Sequence, residues 1–192
     1  MSPQRTQPYH HGDLRRALLD VALVAVAEQG PAAVSLREIA RRAGVSHAAP
    51  THHFRNKAGL LTAIAAEGWD TLADALAEAQ REAGFGGQGV AYVMFATTHP
   101  AHFAVMRAPD LVHSDDAALV AARERAGVQL RQGTGAGSDA DNRSRRLAAW
   151  ALVHGLASLL LEGNIRPEPG VGVEDLARAV TRHLGPPAGD GV

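Results

Sequence analysis

The sequence predicts an all-α protein in which a three-helix N-terminal domain with a helix-turn-helix precedes a second, larger helical domain. Three observations carry that fold class. Apolar residues recur at helical spacing in every long segment, and no segment sustains strand alternation. Residues 35–57, SLREIARRAGVSHAAPTHHFRNK, read as two short helices joined by a tight turn, followed by the start of a third. Glycine-rich stretches at 84–87 and 133–138 then divide the rest of the chain into further helices.

Each element has its own warrant. Leu14, Ala17, Leu18, Val21, Ala22 and Ala25 make an amphipathic first helix that ends near Gly30 and Pro31. Ser35, with Glu38 three residues on, fits a capping box, and Leu36, Ile39, Ala40 and Ala43 line one face of the helix that follows. Gly44 stops it, because glycine enters the left-handed conformation without a Cβ penalty. Ala40 and Gly44 are small enough for two helices to cross closely, Val45 is a buried residue, and Ser46 caps a second helix running to about residue 53. Asn56 caps a long fourth helix over 57–82 that carries Leu60, Leu61, Ile64, Trp69, Leu72 and Leu76. The glycines at 84–87 break the chain before helices over 88–98 and 100–107 and a loop around Pro109 and Asp110. Helices over 115–132, 139–162 and 173–184 complete the set, with 133–138 a flexible linker and the tail 185–192 expected to be disordered. The domains are then 9–56 and 57–184.

Composition limits the function classes. The chain has 192 residues and no cysteine, which rules out disulfides and thiolate metal sites. Its N-terminus lacks the apolar stretch of a signal peptide, and the apolar run over 150–161 is broken by His154, Gly155 and Ser158, so no membrane partner is expected and the location is cytoplasmic. Residues 1–57 hold eight Lys or Arg against four Asp or Glu, and the remainder eleven against sixteen, so the half with the helix-turn-helix is the basic half. Lys57 is the only lysine beside eighteen arginines, a bias that makes arginine abundance alone poor evidence for phosphate binding.

The second helix of the motif presents the chemistry of a DNA reader. Ser46, His47, Ala48, Thr51 and His52 are placed to enter the major groove, where hydroxyls reach base edges or phosphates and a methyl can touch thymine. Ala49 and Phe54 face the core. Arg37 and Lys57, each near a helix N-terminus, are expected over phosphates, where they position the protein without specifying sequence. His53 joins the DNA-facing set, with a solvated surface pair with His52 as the alternative, and one of His10 and His11 is expected close to a phosphate.

Residues 9 to about 76 resemble the DNA-binding domain of the TetR family of bacterial transcription regulators. The resemblance rests on Tyr9-His10-His11-Gly12-Asp13-Leu14-Arg15, on Ser35-Leu36-Arg37-Glu38-Ile39-Ala40, on Ala43-Gly44-Val45-Ser46, and on His52-His53-Phe54, Lys57 and Leu60-Leu61. A shorter match, Trp150-Ala151-Leu152-Val153-His154-Gly155-Leu156, resembles the Trp-His-Gly signature of one C-terminal subfamily. Two positions depart from the pattern. Thr51 stands where an aromatic is common, which shortens or removes one phosphate contact, and Pro50 costs the motif's second helix one donor near its first turn.

The resemblance implies a repressor released from its operator by a small-molecule effector. It implies a homodimer built from the last two helices, with Leu147, Ala151, His154, Leu156, Ser158 and Leu159 on one and Val173, Leu176, Ala177, Val180 and Leu184 on the other. Such a dimer reads near-palindromic double-stranded DNA. For the effector, Tyr92, Phe95, His99, His102, Phe103, Met106, Trp150 and His154 are the candidates, against the plainer reading of each as core. His99, His102, His113 and His154 lack carboxylates at ligand spacing, so neither a metal nor a cofactor is expected. The chain shows no nucleophile motif or phosphate loop and is not expected to be an enzyme. A ligand-independent dimeric DNA-binding protein, or an activator, stands as the alternative.

Overall fold

Helix α1 (His11–Gln29) buries Leu18, Ala22 and Ala25 completely, on the stripe its sequence spacing predicts. A computed structural model describes residues 11–132 and 139–184 of the chain. The expected phosphate neighbour His10, the linker over 133–138 and the tail over 185–192 lie outside the described residues. Helix α2 (Leu36–Ala43) starts at Ser35, whose hydroxyl accepts from the Glu38 N–H at 3.3 Å. Only half of the expected capping box forms. The Glu38 carboxylate turns instead to Arg41 and Arg42, at 2.8 and 2.7 Å, and their hydrogen bonds hold it down at about 2. Gly44 ends α2 at φ 66°, donating back to the last turn.

Helix α3 (Ala48–Phe54) begins one residue later than a Ser46 cap would place it. Its N-cap is His47, in helical conformation and without a side-chain cap, and Ser46 contributes its backbone carbonyl to the Ala49 N–H at 3.0 Å. Pro50 therefore falls at the third helical position, where an intrahelical donor is not needed, and its ring is buried. Asn56 caps α4 (Lys57–Thr98) by accepting from the Gly59 N–H at 2.8 Å.

The glycine cluster interrupts α4 at one residue instead of four. Only Gly84 leaves helical geometry, at φ 63° and ψ −154°, and the helix resumes at Phe85. Gly87 needs to be bare for a different reason: a Cβ there would meet Ala83 Cβ at 2.7 Å. Helix α5 (Pro100–Met106) and a short 3-10 turn at Pro109–Leu111 follow. Helix α6 (Ala117–Gln132) starts two residues past its expected position, because the Asp116 carboxylate caps the Ala118 and Leu119 N–H groups at 3.0 and 3.1 Å. Helices α7 (Asp139–Leu161) and α8 (Val173–Thr181) finish the fold, with a 3-10 turn at Arg182–Leu184. No strand occurs among the described residues, and none of their helices is long and apolar enough to cross a membrane.

Two apolar cores organise these helices. The first joins α1, α2 and Phe54 of α3 to Leu60, Leu61 and Ile64 of α4, and is completed by Ala101 and Val105 of α5 and Leu119 of α6. The second joins Leu72, Leu76, Val93 and Phe95 of α4 to Phe103 and Met106 of α5, Val153 and Leu156 of α7, and Ala177 of α8. Helix α5 thus sits with one face in each core. It can lie close to α4 because Gly68 is bare; a Cβ there would meet Met106 Sδ at 2.7 Å.

Glycine 59 marks the tightest approach in the first core, since a Cβ would fall 2.1 Å from the Phe54 carbonyl oxygen. Gly59→Ala should lower stability by about 1–3 kcal/mol through forced backbone movement. Gly86→Ala, where a Cβ meets nothing within 4 Å, should be neutral or stabilising by up to about 1 kcal/mol. Urea denaturation of the two variants checks the contrast.

Candidate nucleic-acid interface and effector cavity

The outward face of α3 is set by which residues the first core claims. Phe54 and Pro50 turn inward, Ala49 is half-buried, and Ser46, His47, Ala48, Thr51 and His52 are left exposed on one continuous surface. These are the five residues that the sequence places at the groove. Arg37 is exposed at the start of α2. His53 is half-buried, with its ring 6.2 Å from Phe54, so it contributes less surface than His52. Lys57 is also half-buried, and its ammonium donates to the Ala32 carbonyl at 2.5 Å. That bond ties the start of α4 to the turn between α1 and α2. In the described conformation the lysine is a brace for the motif, and a phosphate contact requires it to be shared or released.

Behind the motif, polar ties run to the second domain. Glu67 of α4 accepts from Arg16 of α1 at 2.6 Å and pairs with His102 of α5 at 3.1 Å. Burial alone would raise the Glu67 carboxyl, but the bonds from Arg16 and His102 outweigh it and leave it below its ordinary range. Burial, helped by the neighbouring His99 and Arg16, lowers His102 despite the opposing pull of Glu67. A second tie joins His113, beyond α5, to α4: its N–H donates to Thr62 Oγ1 at 2.9 Å, and its Nε2 lies 3.2 Å from Asn56 Oδ1.

Two cavities of the second domain meet at Tyr92 and Trp150. One, of about 260 Å³, is walled by Trp69, Tyr92, Phe103, Met106, Trp150 and His154, with Arg107 also on its lining. The other, of about 350 Å³, runs from Phe85 and Gln88 toward Leu130, with Arg131, Arg143 and Arg146 along its edge. Tyr92 Oη and His154 Nδ1 are 2.8 Å apart and satisfy each other. Burial pushes the Tyr92 phenol up to about 12, against the opposing influence of Trp150 and the Arg107 charge. Burial, helped by Arg107, lowers His154, which keeps its ring neutral.

Of the eight effector candidates, the structure brings five to the smaller cavity: Tyr92, Phe103, Met106, Trp150 and His154. Phe95, His99 and His102 line neither. Phe95 is consumed by the second core, His99 is exposed and stacks against it at 5.3 Å, and His102 is drawn to Glu67. Trp69 and Arg107 were not among the candidates. Trp69 reads as one more apolar residue of the α4 stripe, and Arg107 as the end of a short helix, so no local signal marks either.

Comparison with known proteins agrees with this geometry. Residues 18–64 match the bacterial regulatory proteins of the tetR family, and residues 85–184, just over half of the chain, match the tetracyclin repressor-like C-terminal domain. The chain belongs to the TetR family. Among curated TetR-type relatives, the regulator BetI of Rhizobium meliloti (strain 1021) is 51% identical over 49 residues, 26% of this chain and 24% of the relative. BetI of Escherichia coli is 44% identical over 62 residues, 32% of either chain, so the matched stretch spans at most a third of these relatives. A solved protein of unknown function from Rhodococcus sp. RHA1 is similar over 93% of this chain and 97% of its own, with 34% identity and a TM-score of 0.75. The TetR-family regulator PfmR of Thermus thermophilus shares the fold, with a TM-score of 0.68 at 22% identity over 87% of this chain and 96% of its own. The N-terminal TetR match falls on the motif helices and the C-terminal match on the helices that wall both cavities.

Two histidines held below their ordinary 6.5 give this TetR-family fold a pH dependence. Below that value the unfolded chain takes up protons that folded His102 and His154 resist, so stability falls as pH drops through 6.5 and below. Urea midpoints at pH 7.5 and 5.5 should show this loss, and His102→Gln with His154→Gln should flatten it.

Proposed function

We propose that this TetR-family protein is a transcriptional repressor that binds a near-palindromic operator as a homodimer and leaves it when a small organic effector fills the cavity beside Tyr92. The division of labour is 9–56 for DNA and 57–184 for effector and dimer. The observation that carries the reading is the exposed face of Ser46, His47, Ala48, Thr51 and His52, held on a core that α5 shares with the cavity. A ligand against Phe103 or Met106 presses on a helix whose other side, at Ala101 and Val105, packs under the motif. It acts only to the extent that it binds the two arrangements of that helix with different affinity.

Dimerisation is supported by α7. Leu147, at 61% exposure, and Leu159, at 39%, lie on the same row as Ala151 and Gly155, four residues apart at each step. Leu156, grouped with them on sequence grounds, is spent on the protomer's own core. An exposed apolar ridge with small residues at its centre suits a second helix in close approach.

Fluorescence anisotropy with the protein's own upstream intergenic DNA, against a scrambled duplex at several salt concentrations, tests the proposal. Selective binding of two protomers per site is expected. Arg37→Ala should weaken binding to both duplexes alike and lower the salt slope by about one. Thr51→Ala or His47→Ala should erode the preference for the upstream DNA by about 1–3 kcal/mol for each base that the side chain reads. Failure to bind either duplex at low salt would remove the DNA-binding reading.

A further inference from the structure

The smaller cavity is chemically one-sided. Trp69 lines it, half-buried in the α4 wall. Arg107 lines it too, its guanidinium 5.5 Å from the Phe103 ring centroid, and has no carboxylate partner among the described residues. Tyr92 and His154 already answer each other. No Asp or Glu lines either cavity. The smaller cavity therefore carries a positive charge that no carboxylate answers, and whatever fills it must bring negative charge.

The walls specify the rest. Tyr92 and Phe103 meet edge to face at 6.1 Å, and Trp150 lies tilted over His154 at 5.2 Å, so the cavity offers ring faces and edges to a flat apolar body. Aromatic boxes of this kind also attract cations. Here that role is already filled, because Arg107 lies over Phe103 and would repel a second cation in the same space. The volume of about 260 Å³ suits a compact ligand of one or two rings.

We infer that the cavity beside Tyr92 takes an aromatic carboxylate, whose rings pack among Tyr92, Phe103 and Trp150 and whose carboxylate answers the Arg107 guanidinium. This names the chemical class of the effector and so rests on the reading that this cavity is the effector site. Both tryptophans of the chain, Trp69 and Trp150, line the cavity, so occupancy is read directly from their fluorescence.

Isothermal titration of the full chain with three probes of one shape, 2-naphthoate, 2-naphthalenemethanol and 2-naphthylmethylammonium, tests the class. Naphthoate should bind about tenfold tighter than the alcohol, with the ammonium weakest. Arg107→Gln, at an exposed position, should remove that preference while leaving the alcohol unchanged. Trp69→Phe keeps an apolar ring in the wall and should leave the order of the three probes unchanged; circular dichroism melts confirm that both variants fold. The inference is overturned if none of the probes binds, if the alcohol or ammonium matches naphthoate, or if Arg107→Gln weakens all three alike. The same titration in the presence of operator DNA separates the two claims. Naphthoate bound without release of DNA keeps the ligand class and removes the effector role, whereas release by other compounds with no naphthoate binding does the reverse.

Discussion

The helix-turn-helix depends on apolar side chains that the second domain supplies. Helices α1 to α3 are short, and their inward residues close into a core only when Leu60, Leu61 and Ile64 of α4 are joined by Ala101 and Val105 of α5 and Leu119 of α6. Val105 is fully buried there. Burial of a side chain of this kind contributes about 1.5–3 kcal/mol, a large part of what so small a helical cluster can muster. The motif therefore cannot hold its outward face independently of where α5 lies.

That constraint gives the second domain its mechanical connection to the helix-turn-helix. Phe103 and Met106 leave α5 on the side opposite Ala101 and Val105, so the helix is a partition between two packed cores. Close-packed interiors transmit small displacements instead of absorbing them. The polar ties follow the same route: Arg16, Glu67 and His102 link α1, α4 and α5, and His113 joins the loop after α5 to the capping Asn56. The exposed face of α3 and the cavity share no residue, yet one seven-residue helix touches the support of both.

What was legible in the sequence was what local chemistry decides. Gly44 and the Asn56 cap are single-residue signals with a backbone reason, and both ends fall where the residues place them. The exposed set on α3 followed from periodicity alone. Ser46 misled because a hydroxyl one residue before His47 looks like a cap, and Glu38 because its arginine neighbours competed for the carboxylate that a capping box needs. The glycine cluster overstated its break, since one left-handed residue is enough to redirect a helix and the next two glycines stayed helical.

The cavity was less legible because it is assembled from distant segments. Trp69, Tyr92, Phe103 and Trp150 come from α4, α5 and α7, and an apolar period does not distinguish a residue facing a void from one facing a neighbour. His102 looked like a ligand contact because its partner, Glu67, lies 35 residues away in the chain.

Native-state hydrogen exchange on Val105→Ala and Phe103→Ala tests the shared core most directly. Each variant trims one face of α5. The account predicts that Val105→Ala speeds exchange in α1 and α2, while Phe103→Ala leaves those amides protected and loosens α7 and α8. If Val105→Ala loosened only the second domain and left α1 and α2 unchanged, the motif would have a core of its own and the partition by α5 would be wrong.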